Sequence, residues 1–296
     1  MRAPLIAILE AMRPRQWTKN LFVFAGLLFS QKLFVPQAAA MAGAAFVLFC
    51  LLSGAMYLLN DVADRHKDRL HPRKRERPVA SGRLSVPAAM AAAIVCLALA
   101  LAGSVAISWP FAAVALAYAA LLTAYSAWLK HVVIVDVLVV AIGFVLRAVG
   151  GAVAIDVEIS GWLLICTILL ALFLALGKRR HEFLALEGQA ATTRPILAEY
   201  SSGLLDQMIA VVTASTVTAY ALYTMSPETV AKFHTHLLPA TLPFVLYGIF
   251  RYLYLLYRRQ LGGNPSELFL NDGPLLVNTF LWLLVVLAIV YGPAVR

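Results

Sequence analysis

The sequence predicts an all-α fold, a polytopic membrane bundle of about nine transmembrane helices, and three observations carry that prediction. Of its 296 residues, 62% are hydrophobic and 13% charged, where soluble domains run nearer half apolar and a quarter charged. The mean hydropathy is +0.83. The apolar residues come in runs long enough to cross about 30 Å of hydrocarbon as helices. The runs lack the alternation of barrel strands, and only helices or closed barrels satisfy backbone groups in lipid.

The first run, 19–35, follows a basic segment with Trp17, a residue suited to the membrane interface. The second, 40–60, ends on acids. Runs 86–108 and 110–129 are parted at Pro110, and 132–154 is set off at His131, which predicts two tight hairpins. The sixth, 160–178, ends on Lys178-Arg179-Arg180. The seventh is 207–225; the eighth, 236–257, ends on Arg258-Arg259; the ninth is 275–294, after a polar Gly262-Gly263-Asn264-Pro265-Ser266-Glu267 loop. No linker, low-complexity segment or fixed-period repeat divides the chain, so one domain, 1–296, is expected.

Basic residues assign the sides. Nineteen fall before the first run or after the second, fourth, sixth and eighth; only Lys32, Lys232 and Arg296 fall opposite, while Arg147 and Arg251 lie inside runs. The positive-inside rule then puts the N-terminus in the cytoplasm and the C-terminus outside, in a multi-pass protein of the inner (plasma) membrane. The net charge of +9 is explained mostly by that rule. No aromatic-interleaved basic surface points to nucleic acid. Cys50, Cys96 and Cys166 each lie in an apolar run without metal-ligand spacing, so they read as buried small hydrophobes. Because basic residues continue to Lys19, the first run reads as a retained anchor rather than a cleaved signal.

The chemistry concentrates where the second run ends, in Asn60-Asp61-Val62-Ala63-Asp64-Arg65-His66-Lys67-Asp68. If the helix continues, Asn60, Asp61, Asp64 and Asp68 fall within an arc of about 100°. Hard oxygen ligands of this kind suit Mg²⁺, which binds through one or two carboxylates plus substrate phosphates. The plainer alternative is a solvated, charge-rich loop. The tract that follows holds Arg73, Lys74, Arg75, Arg77 and Arg83, with Pro72 and Pro78 stiffening it and Gly82 permitting a turn. Arg grips phosphate as a bidentate fork and Lys as a point charge, so Lys74, Arg75 and Arg77 are candidate phosphate contacts.

Further candidates lie at other helix ends. Arg15 and Lys19 are i, i+4 neighbours, as are the amides Gln16 and Asn20, which are expected to face substrate. Lys178, His181 and Glu182 share a face, and Lys178 is the best anion contact among them; favourable cations at a helix C-terminus are the alternative. Arg147, well inside the fifth run, is costly there and points either to substrate or to a structural ion pair. Tyr125 and Lys130 flank the second hairpin and can reach the same mouth. Glu267, Asn271 and Asp272 read first as a turn. No Walker loop, dinucleotide fingerprint or nucleophile triad is present.

The acid motif resembles that of the UbiA superfamily of intramembrane prenyltransferases, and the likeness covers nearly the whole chain. Three longer strings are similar to the decaprenyl-phosphate phosphoribosyltransferase branch: Arg13-Pro14-Arg15-Gln16-Trp17-Thr18-Lys19-Asn20; Asn60 to Asp68 with His71-Pro72, Lys74-Arg75 and Arg77-Pro78; and Gly177-Lys178-Arg179. The resemblance implies transfer of 5-phosphoribose from phosphoribosyl pyrophosphate to a polyprenyl (decaprenyl) phosphate, with Mg²⁺ as cofactor and a product used in cell-wall synthesis. It marks Asn60, Asp61, Asp64 and Asp68 as metal ligands, the three aspartates as catalytic, and Arg179 beside Lys178 as substrate-binding. Asn60, Asp64 and Asp68 form the expected ligand row, with Asp61 behind it or on the ribose. Expected partners are the two substrates and the lipid bilayer; a homo-oligomer is left open.

One departure separates the branches. Aromatic prenyltransferases of this fold usually carry a second Asp-rich motif after the sixth helix, where this chain has Lys178-Arg179-Arg180-His181-Glu182. Base in place of acid suits a donor plus a lipid phosphate better than an uncharged aromatic ring. Two rivals remain. One is an aromatic prenyltransferase, which the missing motif disfavours. The other is a non-enzymatic transporter, which leaves the aligned acids beside a phosphate tract unexplained.

Overall fold

The computed structural model describes residues 4–70, 74–185, 195–259, 261–263 and 265–292; His71, Pro72, Arg73, Arg194 and Asn264 lie outside them. The α-helices are α1 Pro4–Ala11, α2 Phe24–Phe29, α3 Pro36–Ala63, α4 Arg65–Leu70, α5 Val86–Ile107, α6 Trp109–Ala127, α7 Val135–Ala154, α8 Gly161–Ala185, α9 Ser202–Met225, α10 Pro227–Phe233, α11 Leu242–Arg258, α12 Pro265–Asn271 and α13 Gly273–Tyr291. No strand occurs among the described residues. Among the described residues, eight helices are long and apolar enough to span a membrane: α3, α5 to α9, α11 with its leading turn from Leu238, and α13.

Polar side chains at the joints set the breaks. Ser108 ends α5 and caps α6, accepting from Phe111 N at 3.2 Å, so one residue makes the hairpin expected at Pro110. Ser85, Ser201 and Ser226 cap α5, α9 and α10 in the same way, satisfying donors that a helix start leaves open. At the second hairpin a 3-10 turn, Leu129–His131, precedes α7.

The expected count of about nine resolves into these eight and one broken segment. Over 19–35 the chain is a 3-10 helix, Pro14–Val23, then α2, then turns. Its backbone lies against α7: a Cβ on Gly151 would sit 1.8 Å from Val23 O, and one on Gly26 would sit 2.9 Å from Ala152 Cα. Lipid offers no hydrophobic drive between helices, so close approach through small residues supplies the packing. The segment also follows α3 lengthwise. Arg13 meets Asp61 near one end, Asn20 meets Cys50 and Ser53, and Leu27 clusters with Ala38 and Ala42 near the other.

Contacts group the chain into two compact units. The first takes the described residues to Leu27, Lys32–Lys130 and Leu146–Glu158; the second takes Leu28–Gln31, His131–Val145 and the chain from Ile159. The first is centred on Phe49, Phe111 and Tyr118, packed edge-to-face. At one end of α3, Ala7 and Ala11 of α1 pack with Leu58, Val79 and Leu84. The second is centred on Phe173, Leu176, Leu205, Ile209, Tyr252 and Leu256.

Candidate active site

In the first unit, Cys50, Ser53, Tyr57, Asn60, Asp61 and Asp64 recur every three or four residues along α3 and so share one face. Its deep part is a fully buried network. Asn20 Oδ1 accepts from Arg147 Nε at 2.7 Å, and Asn20 Nδ2 donates to Cys50 Sγ at 3.2 Å and Ser53 Oγ at 3.3 Å. Arg147 also donates to Tyr118 Oη, and its guanidinium lies 4.8 Å from that ring's centre. Asn20 thus serves the protein interior, against the expectation that it faces substrate. Its amide spans α3 and α7, and an amide buried there is stabilised by donating and accepting at once.

At the end of α3 the acids divide into two sets. The helix stops at Ala63; Asp64 takes the C-cap position and α4 begins anew at Arg65. Asp61 is 1% exposed and Asp68 3%. Arg77 Nη1 touches both, at 3.2 Å from Asp61 Oδ1 and 2.6 Å from Asp68 Oδ2, and Arg13 is ion-paired with the same Asp61 oxygen. Asp61 Oδ2 is buried and accepts no hydrogen bond from any described residue. Asp64 instead accepts from Asn60 Nδ2 at 3.1 Å and pairs with Lys130 Nζ at 3.7 Å. Among the described residues no three His, Cys, Asp or Glu side chains gather as a metal-holding group. The single coordinating face expected for Asn60, Asp61, Asp64 and Asp68 is therefore interleaved with cations, three acids against Arg13, Arg77 and Lys130.

These residues fit Mg²⁺ all the same. It takes hard oxygen ligands, needs only one or two carboxylates beside substrate phosphates, and Asp61 Oδ2 is an unused buried oxygen. Of the other candidates, Arg15 and Arg75 are exposed, and Lys19, Lys74 and Tyr125 are half-buried. Arg13 and Tyr57 are additions that sequence reasoning passed over. Arg13 lies 4.7 Å from the Tyr57 ring centre, and Tyr57 stands four residues before Asp61, a register that could have flagged it.

In the second unit, Lys178 and Arg179 part company. Lys178 is 44% exposed, with Glu182 Oε1 at 3.7 Å. Arg179 is buried, ion-paired with Asp136 at 2.7 Å and Glu182 at 2.5 Å. Tyr200 Oη donates to Asp136 Oδ1 at 2.7 Å and accepts from Ile134 N at 2.8 Å, holding Ile134 at φ 68°. That conformation is an outlier for a β-branched residue. Burial first, then the Asp136 bond, pushes the Tyr200 hydroxyl up to about 12. His181 Nδ1 accepts from Gly262 N at 3.2 Å, fastening the glycine loop to α8.

Fold and site define a polytopic, all-helical membrane protein with a charge-dense centre at one end of α3. The chain belongs to the UbiA prenyltransferase family, whose profile matches residues 20–284, and is a transferase of that family. It is 33% identical over 303 residues to decaprenyl-phosphate phosphoribosyltransferase of Mycolicibacterium smegmatis, covering 96% of this chain and 92% of that one. It is 34% identical over 297 residues to the protein so named in Corynebacterium glutamicum, covering 96% and 86%. Its fold matches a UbiA homolog from Archaeoglobus fulgidus bound to GPP and Mg²⁺, with a TM-score of 0.72 at 20% identity over 96% of this chain and 99% of that one.

Proposed function

We propose that this protein transfers 5-phosphoribose from phosphoribosyl pyrophosphate to a polyprenyl phosphate, releasing pyrophosphate, at the cytosolic face of the membrane. The observation that carries the reading is the interleaving of Asp61, Asp64 and Asp68 with Arg13, Arg77 and Lys130 at one end of α3. The full-length likeness to proteins named for this transfer supports it. So does the base-rich end of α8, where an aromatic prenyltransferase would carry acids.

Asp61, Asp64 and Asp68, with the Asn60 amide, would hold Mg²⁺ against the donor's pyrophosphate. When bound, that ion neutralises charge on the departing pyrophosphate. Arg77, Lys74 and Arg75 grip donor phosphate oxygens, and Arg15 and Lys19 the lipid phosphate or the donor's 5-phosphate. Lys178 is a further anion contact. The ribose C1–O bond to pyrophosphate breaks as a lipid phosphate oxygen attacks the opposite face, so the anomeric centre inverts. That oxygen is already ionised near neutral pH, so no strong base is required. Positioning and fixed charge supply the catalysis, with each well-placed donor worth about 10²- to 10³-fold.

The orientation has the N-terminus cytoplasmic and the C-terminus outside. Eight helices with the segment 13–33, which runs the length of α3, make nine crossings. At about 2.0 Å per 3-10 residue and 1.5 Å per α residue, the ten residues of Pro14–Val23 and six of α2 cover nearly 30 Å.

The test supplies purified protein with Mg²⁺, radiolabelled phosphoribosyl pyrophosphate and a polyprenyl phosphate. Label should move into the organic phase, and Asp64→Asn should abolish the transfer while the protein stays folded and inserted. Label that stays aqueous, with a prenylated aromatic acid formed from a prenyl diphosphate in a parallel tube, would instead identify an aromatic prenyltransferase.

A further inference from the structure

We propose that Arg77, assisted by Arg13, occupies the metal position until the donor arrives, so that divalent cation and pyrophosphate bind as a pair and neither binds well alone. The inference rests on the reading that Asp61 and Asp68 take a metal-bound pyrophosphate.

The geometry is that of a stand-in cation. One nitrogen, Arg77 Nη1, is shared between Asp61 Oδ1 and Asp68 Oδ2, and Arg13 adds a second guanidinium to Asp61. Two carboxylates buried this close together need a cation beside them to offset their desolvation and mutual repulsion, and the shared guanidinium supplies it. The arginine side chains are 24% and 26% exposed, against 4% and 1% for the carboxylates, so they cover the acids from the solvent side. A divalent ion arriving alone must displace Arg77 and strand a guanidinium beside itself, cation against cation. An ion arriving on pyrophosphate brings phosphate oxygens that accept the displaced forks, the bidentate pairing arginine favours. The acids exchange a guanidinium for the metal, and the guanidinium exchanges a carboxylate for phosphate.

The loop is built to let the side chain move while its backbone stays. Arg77 N donates to Lys74 O at 3.0 Å, and Arg77 O accepts from Ser81 N at 2.9 Å and Ser81 Oγ at 2.8 Å. Arg69 Nε donates to Ala80 O at 3.0 Å, and Arg83 clasps Glu10 through both nitrogens at 2.7 and 2.8 Å. Partner exchange at Arg77 is then a rotamer change on a braced turn. By linkage, pyrophosphate raises the affinity for metal by the factor by which metal raises the affinity for pyrophosphate.

The test follows Mn²⁺, with its solution resonance as the readout, on purified protein in nanodiscs and without acceptor. Wild type should bind Mn²⁺ weakly alone and retain it through dialysis when one equivalent of pyrophosphate is present. Arg77→Met should bind Mn²⁺ alone at least about tenfold tighter than wild type, and adding Asp68→Asn to that variant should remove the gain. Equal binding of Mn²⁺ alone by wild type and Arg77→Met overturns the inference and leaves the acids as a metal site. Mn²⁺ retained by neither protein, with or without pyrophosphate, overturns the metal reading of the acids and the inference with it. Should Arg77→Met fail to fold, wild type decides: Mn²⁺ retained without pyrophosphate overturns the proposal, and retention only with pyrophosphate supports it.

Discussion

Lys178 and Arg179 are neighbours in the chain and opposites in environment. A helix turns about 100° per residue, so one side chain reaches solvent while the other enters the second unit's core, 4% exposed. Arg179 meets Asp136, itself fully buried, and Glu182 reaches both Arg179 and Lys178. Breaking a buried pair by removing one partner costs about 3–5 kcal/mol, because a charge is left behind in a poor dielectric. Arg179→Ala should therefore lower the melting temperature sharply, and Lys178→Ala should leave it nearly unchanged. In the transfer assay Lys178→Ala should raise the concentration needed of donor or lipid phosphate. An unchanged saturation curve would return Lys178 to favourable placement at a helix C-terminus and nothing more.

Elements here are held by what happens at their ends and at their closest approaches. Asp272 caps α13, accepting from Leu275 N at 2.9 Å, while Arg251 grips it at 3.1 and 2.8 Å. The Arg251 hydrogen bonds hold its carboxyl below the ordinary carboxylate value. A lowered folded-state pKa means the ionised pair stabilises above the unfolded value, about 3.9, and that contribution is lost as pH falls through the folded value. Asn caps as well as Asp, so Asp272→Asn removes the charge pair and keeps the cap. Its melting temperature should lie below wild type near pH 7, with the gap closing below about pH 4; a gap independent of pH would dismiss the pair. At Gly151 the constraint is steric. A methyl there would overlap the Val23 carbonyl, and overpacking typically costs about 1–3 kcal/mol or more. Gly151→Ala should destabilise the first unit, read as a lower melting temperature and poorer yield.

For the whole molecule, lipid is the governing solvent. α5 turns Ile94, Val95 and Leu99 outward, each more than half exposed, a cost in water and none among acyl chains. The orientation is tested with single cysteines and a membrane-impermeant maleimide on intact cells. His234→Cys, on the side proposed to face outward, should label at once; Ser81→Cys, in the loop of Arg77, should label only after permeabilisation. The reverse pattern would overturn the assignment of sides.

The helical class and the places of eight spans were legible because hydrocarbon forces each backbone group to be satisfied within its own segment, and a segment's content is local. The Asn60 to Asp64 register was legible for the same reason, since helical register is a short-range property, but the break at Asp64 that carries Asp68 onto α4 was not. The broken path of 19–35 was not, since its apolar content suits a helix and the carbonyl pressed on Gly151 comes from far along the chain. Nor were the partners of the buried charges. Arg147 finds Asn20 at a separation of 127 residues, and Arg179 finds Asp136 on another helix. Sequence alone determined which residues can carry charge into this membrane. Tertiary structure decided which charges cancel one another and which stay exposed to an anion, because pairing depends on distances of a few ångströms between segments that only packing brings together.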